Sequence, residues 1–275
     1  MIINKEYDEF LLTTLNALAS YLDSIVIGGG LACALYRFHS YAKEAPVVLF
    51  TKDIDILSPR VIPVKETSIN ILLGFAGIKT NYDADQYRYK MSSESPYEIE
   101  FICDESGLPA KIKQKSPPVI EIQKDTPAQF INYIDMIRNN AWRIILDKKN
   151  TGDDRTFSLN LPNPFNYIFT KSLINSDRPR DKKMKDCVYI YNTIYTFRNT
   201  FSEVLNEART TKEQIPKRTF NKALSAFKNL FCKEDAPGYY YISEYAKENR
   251  IREYDMRVVL KVFNNFNKQL DACDL

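Results

Sequence analysis

Between residues 7 and 22 the apolar positions Phe10, Leu11, Leu15, Leu18 and Leu22 fall three or four apart, which predicts an amphipathic helix lying on a core. The period then changes. Ile25, Val26 and Ile27 form a short β-branched run halted by Gly28, Gly29 and Gly30, and residues 31–38 regain a helical composition, so the stretch predicts strand, tight turn and helix. Residues 47–50 and 54–57 read as extended on either side of Asp53, with Pro59 and Pro63 closing the segment. Strand-like runs follow at 87–91, 97–103, 119–123 and 157–161, separated by clusters of Pro, Ser, Gly and Asp. Beyond Pro162 and Pro164 the spacing turns helical at 165–174, 185–198, 219–231 and 256–266. The pattern predicts an α/β (α+β) chain, with a mixed, largely antiparallel sheet domain over residues 1–163 and a helical domain over residues 164–275.

Composition bounds the class without naming a partner. At 275 residues, 44% hydrophobic and 27% charged, the chain can bury a sizeable core, and a formal net charge of +3 marks neither a disordered tail nor a polybasic nucleic-acid binder. No apolar run approaches the ~20 residues of a membrane span, and Lys5, Glu6, Asp8 and Glu9 stand where a leader would be apolar. A cytoplasmic protein with no membrane partner is expected. Five scattered cysteines without a C-x-x-C spacing predict neither a disulfide framework nor a zinc site. His39 is the single histidine, so schemes that need an imidazole base have one candidate, for which a polar position at a helix end is the more ordinary role.

Candidate chemistry gathers at the glycines and at the acids that follow them. A strand feeding three glycines and a helix brings backbone N–H groups and a positive helix end to one spot, which suits a phosphate; the same residues also serve as a plain tight turn. Asp53 and Asp55, two apart in an extended segment, project from one face while Ile54 and Ile56 enter the core. Two converging carboxylates suit Mg²⁺, which is held by one or two carboxylates plus substrate phosphates. Glu98 and Glu100 repeat the pattern on a later strand. Either is a candidate third acid, and Glu100 is preferred because it directly precedes Phe101 and Ile102. Gly28, Gly30 and Cys33 followed by Asp53 also approximate a dinucleotide fingerprint, but the cysteine, the second acid and the lack of alternating strand–helix units argue against it. Lys111, Lys113 and Lys115, and the run Tyr239, Tyr240 and Tyr241, are candidate nucleic-acid contacts, against ordinary roles in a guarded edge strand and in packing.

The stretch Ile27-Gly28-Gly29-Gly30-Leu31-Ala32-x-Ala34-Leu35-Tyr36, with Thr51-Lys52-Asp53-Ile54-Asp55-Ile56-Leu57 after it, resembles the nucleotidyltransferase superfamily, whose signature is a Gly-Gly or Gly-Ser turn followed by Asp-x-Asp. Within it the chain is similar to the AbiEii/MenA-type toxin branch, whose helical domain carries a lysine, then an arginine and a Lys/Arg-Asp pair; Lys171, Arg178 and Lys185-Asp186 stand in that order. The resemblance spans roughly residues 25–190. It implies transfer of NMP from an NTP to an acceptor (tRNA, protein or small molecule), with pyrophosphate leaving, and a toxin-like role with a cognate antitoxin as partner. It also implies Mg²⁺, in a one- or two-metal site, on Asp53 and Asp55, to which Glu100 is the preferred candidate for a third acid and metal ligand. The nucleotide falls to Gly28, Gly29, Gly30, Thr51, Lys171 and Arg178, and Asp186 supports Lys171. Two departures stand out: Leu49 replaces the arginine usual just before the Thr-x-Asp-x-Asp segment, and residues 40–46 lengthen the path from the glycines to Asp53. The first motivates an alternative, a non-catalytic module on the same fold that binds a nucleotide or a partner. Read as residues alone, Lys171 and Asp186 also suit a solvated helix face.

Overall fold

The computed structural model describes residues 2–43, 47–80, 88–104 and 119–273. They form two compact units, one of Met1–Phe38 with Val48–Pro162 and one of His39–Val47 with Asn163–Leu275. The lysines at 111, 113 and 115 lie outside the described residues.

In the first unit α1 (Lys5–Ala17) starts where the Asn4 side chain accepts from the Tyr7 N–H at 2.9 Å, and it buries Tyr7, Phe10, Leu11, Thr14 and Leu15. The predicted helix over 7–22 thus ends early, and Ala19–Tyr21 tightens into a 3₁₀ turn. Next come β1 (Val26–Ile27), α2 (Gly29–Leu35), β2 (Asp53–Leu57), α3 (Ile69–Phe75), β3 (Lys79–Thr80), β4 (Arg88–Lys90) and β5 (Glu98–Asp104). β6 (Val119–Gln123), β7 (Thr126–Ile131), α4 (Ile134–Arg138), β8 (Trp142–Leu146), α5 (Lys148–Thr151) and β9 (Phe157–Leu161) complete the unit. Among the described residues β1 to β7 make one mixed sheet in the order β1-β2-β5-β4-β3, with β7 also on β5 and β6 on β7, while β8 and β9 pair apart. The extended reading of residues 47–50 is not met by a strand: Leu49 is buried, Phe50 is exposed, and no described strand pairs with them.

The two central strands explain the sheet. β2 and β5 run parallel, with Ile54 beside Ile99 and Ile56 beside Phe101, and all four side chains are fully buried on one face. The opposite face alternates with it and carries Asp53, Asp55 and Leu57 on β2 against Glu98, Glu100 and Ile102 on β5. That face is acidic where both strands begin, apolar at Leu57 and Ile102, and acidic again at Asp104, the last residue of β5. β4 covers the free edge of β5 near Ile99 and Glu100, and β7 takes over from Ile102 onward.

The second unit is helical: α6 (Pro164–Asn175), α7 (Arg180–Thr196), α8 (Phe201–Gln214), α9 (Lys217–Phe231), α10 (Pro237–Glu248) and α11 (Met256–Asp271). Asn163 caps α6 by accepting from the Asn166 N–H at 2.8 Å, and Pro164 opens the helix, where its missing N–H costs nothing. Nearly the whole surface of α6 is buried, as expected of a central helix. Phenylalanines knit its surroundings: Phe165 stacks on Phe169 at 4.1 Å, and Phe231 on Phe263 at 4.1 Å. The segment 39–47 joins this unit through Asn192, which donates to the Val47 carbonyl at 3.0 Å, and Thr200, which donates to that of Tyr41 at 2.9 Å. Tyr239, Tyr240 and Tyr241 fall on successive positions of α10 and therefore point in different directions; Tyr239 is buried and donates to the Phe231 carbonyl at 3.0 Å, so the run offers no flat stacking platform.

Candidate active site

The glycine turn and the first acids of β2 are locked together. The Gly28 N–H donates to the Asp55 carbonyl at 2.8 Å, so this amide is spent on the strand and is not available to a phosphate, contrary to the expectation for it. What Gly28 provides is clearance, since a β-carbon there would stand 2.9 Å from Leu57 Cγ. Gly29 adopts φ +56°, and a β-carbon on it would lie 1.5 Å from Asp55 Oδ2. The Asp55 carboxylate therefore occupies the space a side chain at Gly29 would need. Gly30 is buried in the first turn of α2. Gly29→Ala is expected to drive the Asp55 carboxylate from its position and to abolish activity as fully as loss of Asp55 itself. The left-handed backbone adds a stability cost of about 1–2 kcal/mol. Gly74→Ala, where an added β-carbon meets nothing within 4 Å, is the control, and parallel activity and melting measurements check the pair.

Around this turn the in-register pairing sets Asp53 beside Glu98 and Asp55 beside Glu100, so four carboxylates share one patch of the sheet. They do not share one fate. Glu98 is buried and neutralised by Arg88 at 2.5 Å and Lys90 at 3.5 Å, both on β4. Glu100 has no ion pair among the described residues. Burial first, then the charge of Asp55, push its carboxyl up to about 7; Arg88 opposes the shift, while Asp53 and Glu98 add to it. Glu98 therefore reads as half of a structural ion pair and Glu100 as the acid left over.

Supports from α1 and the β2 approach hold the patch from behind. The Tyr7 hydroxyl donates to the Asp53 carbonyl at 3.2 Å, and burial plus the charges of Asp55 and Asp53 keep its phenol protonated far above the usual range. Tyr7 meets Tyr97 edge-on at 5.4 Å. Thr51 is buried and its hydroxyl donates to the Asp53 carbonyl at 3.4 Å, which ties it to the strand. Leu49 is buried as well, so no cation stands at the position where the resembled family carries arginine. Sequence reasoning missed Tyr7 and Arg88. Tyr7 only marks the start of the predicted helix, and the pairing of Arg88 with Glu98 depends on a strand register that spacing does not reveal.

Asp53, Asp55 and Glu100 suit a divalent cation by charge: after burial, the charge of Asp55 is the next cause of the raised Glu100 carboxyl, and Arg88 offsets it only in part. Among the described residues no group of three or more His, Cys, Asp or Glu has metal-ligand geometry.

In the helical unit Lys171 and Asp186 are 8% and 2% exposed, with Lys171 Nζ 2.8 Å from Asp186 Oδ1. Arg178 Nε approaches Asp186 Oδ2 at 3.3 Å, and the Lys171 ammonium also lies 5.3 Å from the Tyr189 ring centre. Burial removes the reading of Lys171 and Asp186 as a solvated helix face; α6, α7 and the turn between them bring Lys171, Asp186 and Arg178 into one cluster.

A strand–glycine turn–helix set against paired acids on the neighbouring strands of a mixed sheet defines a nucleotidyl-transfer class of domain. The model of a family described as nucleotidyltransferase matches residues 11–214, and the chain belongs to that family. No curated protein and no solved structure matches the chain. At the level the family defines, the chemistry is transfer of a nucleotidyl group from a nucleoside triphosphate. No helix among the described residues is long and apolar enough to cross a membrane.

Proposed function

We propose that the chain transfers NMP from an NTP to an acceptor hydroxyl or phosphate with the help of Mg²⁺, through the acidic patch of β2 and β5. The observation that carries this reading is the contact of Gly29 with Asp55, which joins a phosphate-type turn to a carboxylate that has two acidic neighbours. Asp53 and Asp55 would hold the metal, with Glu100 as third ligand or as acceptor of the proton from the attacking hydroxyl. A bound divalent cation supplies neutralisation of the phosphate oxygens. The chain's own contribution is positional: Tyr7 and Thr51 fix the backbone of Asp53, and Gly28 and Gly29 clear room for the phosphates. Lys171 and Arg178, steadied by Asp186, are the proposed triphosphate contacts from the helical unit, and their order along the chain supports placement near the AbiEii/MenA-type toxin branch. A toxin-like role in the cytoplasm, with a cognate antitoxin and a tRNA, protein or small-molecule acceptor, follows from that placement.

The deciding experiment incubates the protein with each α-labelled NTP, Mg²⁺ and a whole-cell extract, then identifies the labelled species. A labelled acceptor is expected. Nucleotide binding without pyrophosphate release across all acceptors would instead favour a binding module, the reading that Leu49 motivates.

The position of Glu100 makes a second prediction. Its carboxyl is raised to about 7 in the folded chain from an ordinary 4.5, so the native state holds a proton that the unfolded state has lost. The contribution of Glu100 to stability should therefore be fully present below pH ~4.5, fall as pH rises through the window to about 7, and be lost above it, a change of up to about 3 kcal/mol. Urea unfolding without metal at several pH values checks this, and Glu100→Gln should flatten that part of the profile.

A further inference from the structure

A cavity of about 460 Å³ lies where α10 gives way to α11, and it is lined in part by Ser243, Lys247, Arg250, Arg252, Tyr254 and Met256. We propose that it binds a phosphate-bearing ligand, gripped chiefly by Arg250 and Arg252. It stands entirely in the helical unit and beyond residue 214, where the family match ends, so it goes beyond the transfer chemistry argued above.

The backbone points to Arg250 first. α10 closes with the Ile251 N–H on the Ala246 carbonyl at 2.9 Å and the Arg250 N–H on the Lys247 carbonyl at 3.2 Å, the paired bonds of a helix stop that places one residue in the left-handed region. That residue is Arg250, at φ +54°. Glycine fills this position at no steric cost, and a β-carbon is disfavoured there. Basic side chains do balance the negative end of a helix, but Lys247 already does so from the last turn without a strained backbone. The strained position is explained if the guanidinium itself is used.

Charge accounting points the same way. Glu244 is taken by Lys247 at 3.0 Å and Arg180 at 3.4 Å, Glu248 by Arg180 at 3.4 Å, and Asp255 by Arg257 at 2.8 Å. Glu253 is not among the residues lining the cavity. Arg250 and Arg252 are exposed and have no ion pair among the described residues. Two unspent guanidiniums at a concave site match the paired oxygens of a phosphate. The Tyr254 hydroxyl is committed to Asn192 Oδ1 at 3.0 Å and so acts as wall rather than donor.

The test titrates the full chain in chelator with pyrophosphate, and in a second arm with a short single-stranded RNA. Saturable binding in either arm is expected, weakened about tenfold or more in Arg250→Gly and in Arg252→Gln, with the melting temperature of Arg250→Gly equal to or above that of the parent. The arm that responds names the source of the phosphate, free or polymeric. Binding that survives in Asp53→Ala supports a site independent of the acidic patch. Absence of binding in both arms, or affinity unchanged in Arg250→Gly, overturns the proposal.

Discussion

Asp53→Ala and Asp55→Ala are each expected to cut nucleotidyl transfer by roughly a hundred- to a thousand-fold while leaving the chain folded. The two halves of this expectation have separate causes. Activity falls because each change removes a carboxylate from the patch that also holds Glu100, and the remaining acids offer a cation fewer oxygens. Stability holds because the structural bond at Asp53 uses its backbone carbonyl, which accepts from Tyr7, and alanine keeps that carbonyl. Removing the Asp53 charge also takes away one of the neighbours that push the Glu100 carboxyl upward, so that variant should melt no lower than the parent. Transfer of label from an α-labelled NTP, read beside thermal unfolding, tests both. Full transfer in the two variants would sink the assignment. Loss of transfer accompanied by loss of fold would show that the acids serve the sheet instead.

Much of this patch is legible in the sequence, because it depends on the two-residue period of a strand. That period alone places Asp53 with Asp55 and Glu98 with Glu100 on shared faces. The runs predicted at 119–123 and 157–161 coincide with β6 and β9 for the same reason. What the period cannot supply is pairing. β2 and β5 are about forty-five residues apart in sequence, and only their parallel register makes one patch of two acid pairs and leaves Glu98 to the cations of β4. The Gly28 amide is a similar case: a glycine turn reads as a phosphate cradle until the strand opposite is seen to consume the N–H. Elements with weak patterns were hidden too. α8 has few apolar residues in FSEVLNEARTTKEQ, and α10 opens on Pro237-Gly238, which reads as a turn although proline fits the first position of a helix.

The helical unit carries the largest expected change in stability. Asp186 stands between Lys171 and Arg178 and is almost fully enclosed, so Asp186→Asn removes the charge that both cations face and strands a buried ammonium. Breaking a buried pair in this way costs about 3–5 kcal/mol, which for a chain of this size corresponds to a fall in Tm of roughly 10 °C. Lys171→Met should cost less, because Asp186 keeps Arg178 as a partner and the methionine stem fills the space between the rings of Tyr167 and Tyr189. The double variant Lys171→Met, Asp186→Leu separates structure from chemistry. Replacing both charges by apolar groups of similar volume should recover much of the lost stability, since their desolvation cost disappears with them. If Lys171 is held by Asp186 for contact with the triphosphate, transfer stays low in this stable double variant and the KM for NTP rises. If the pair only braces α6 against α7, transfer returns with the fold.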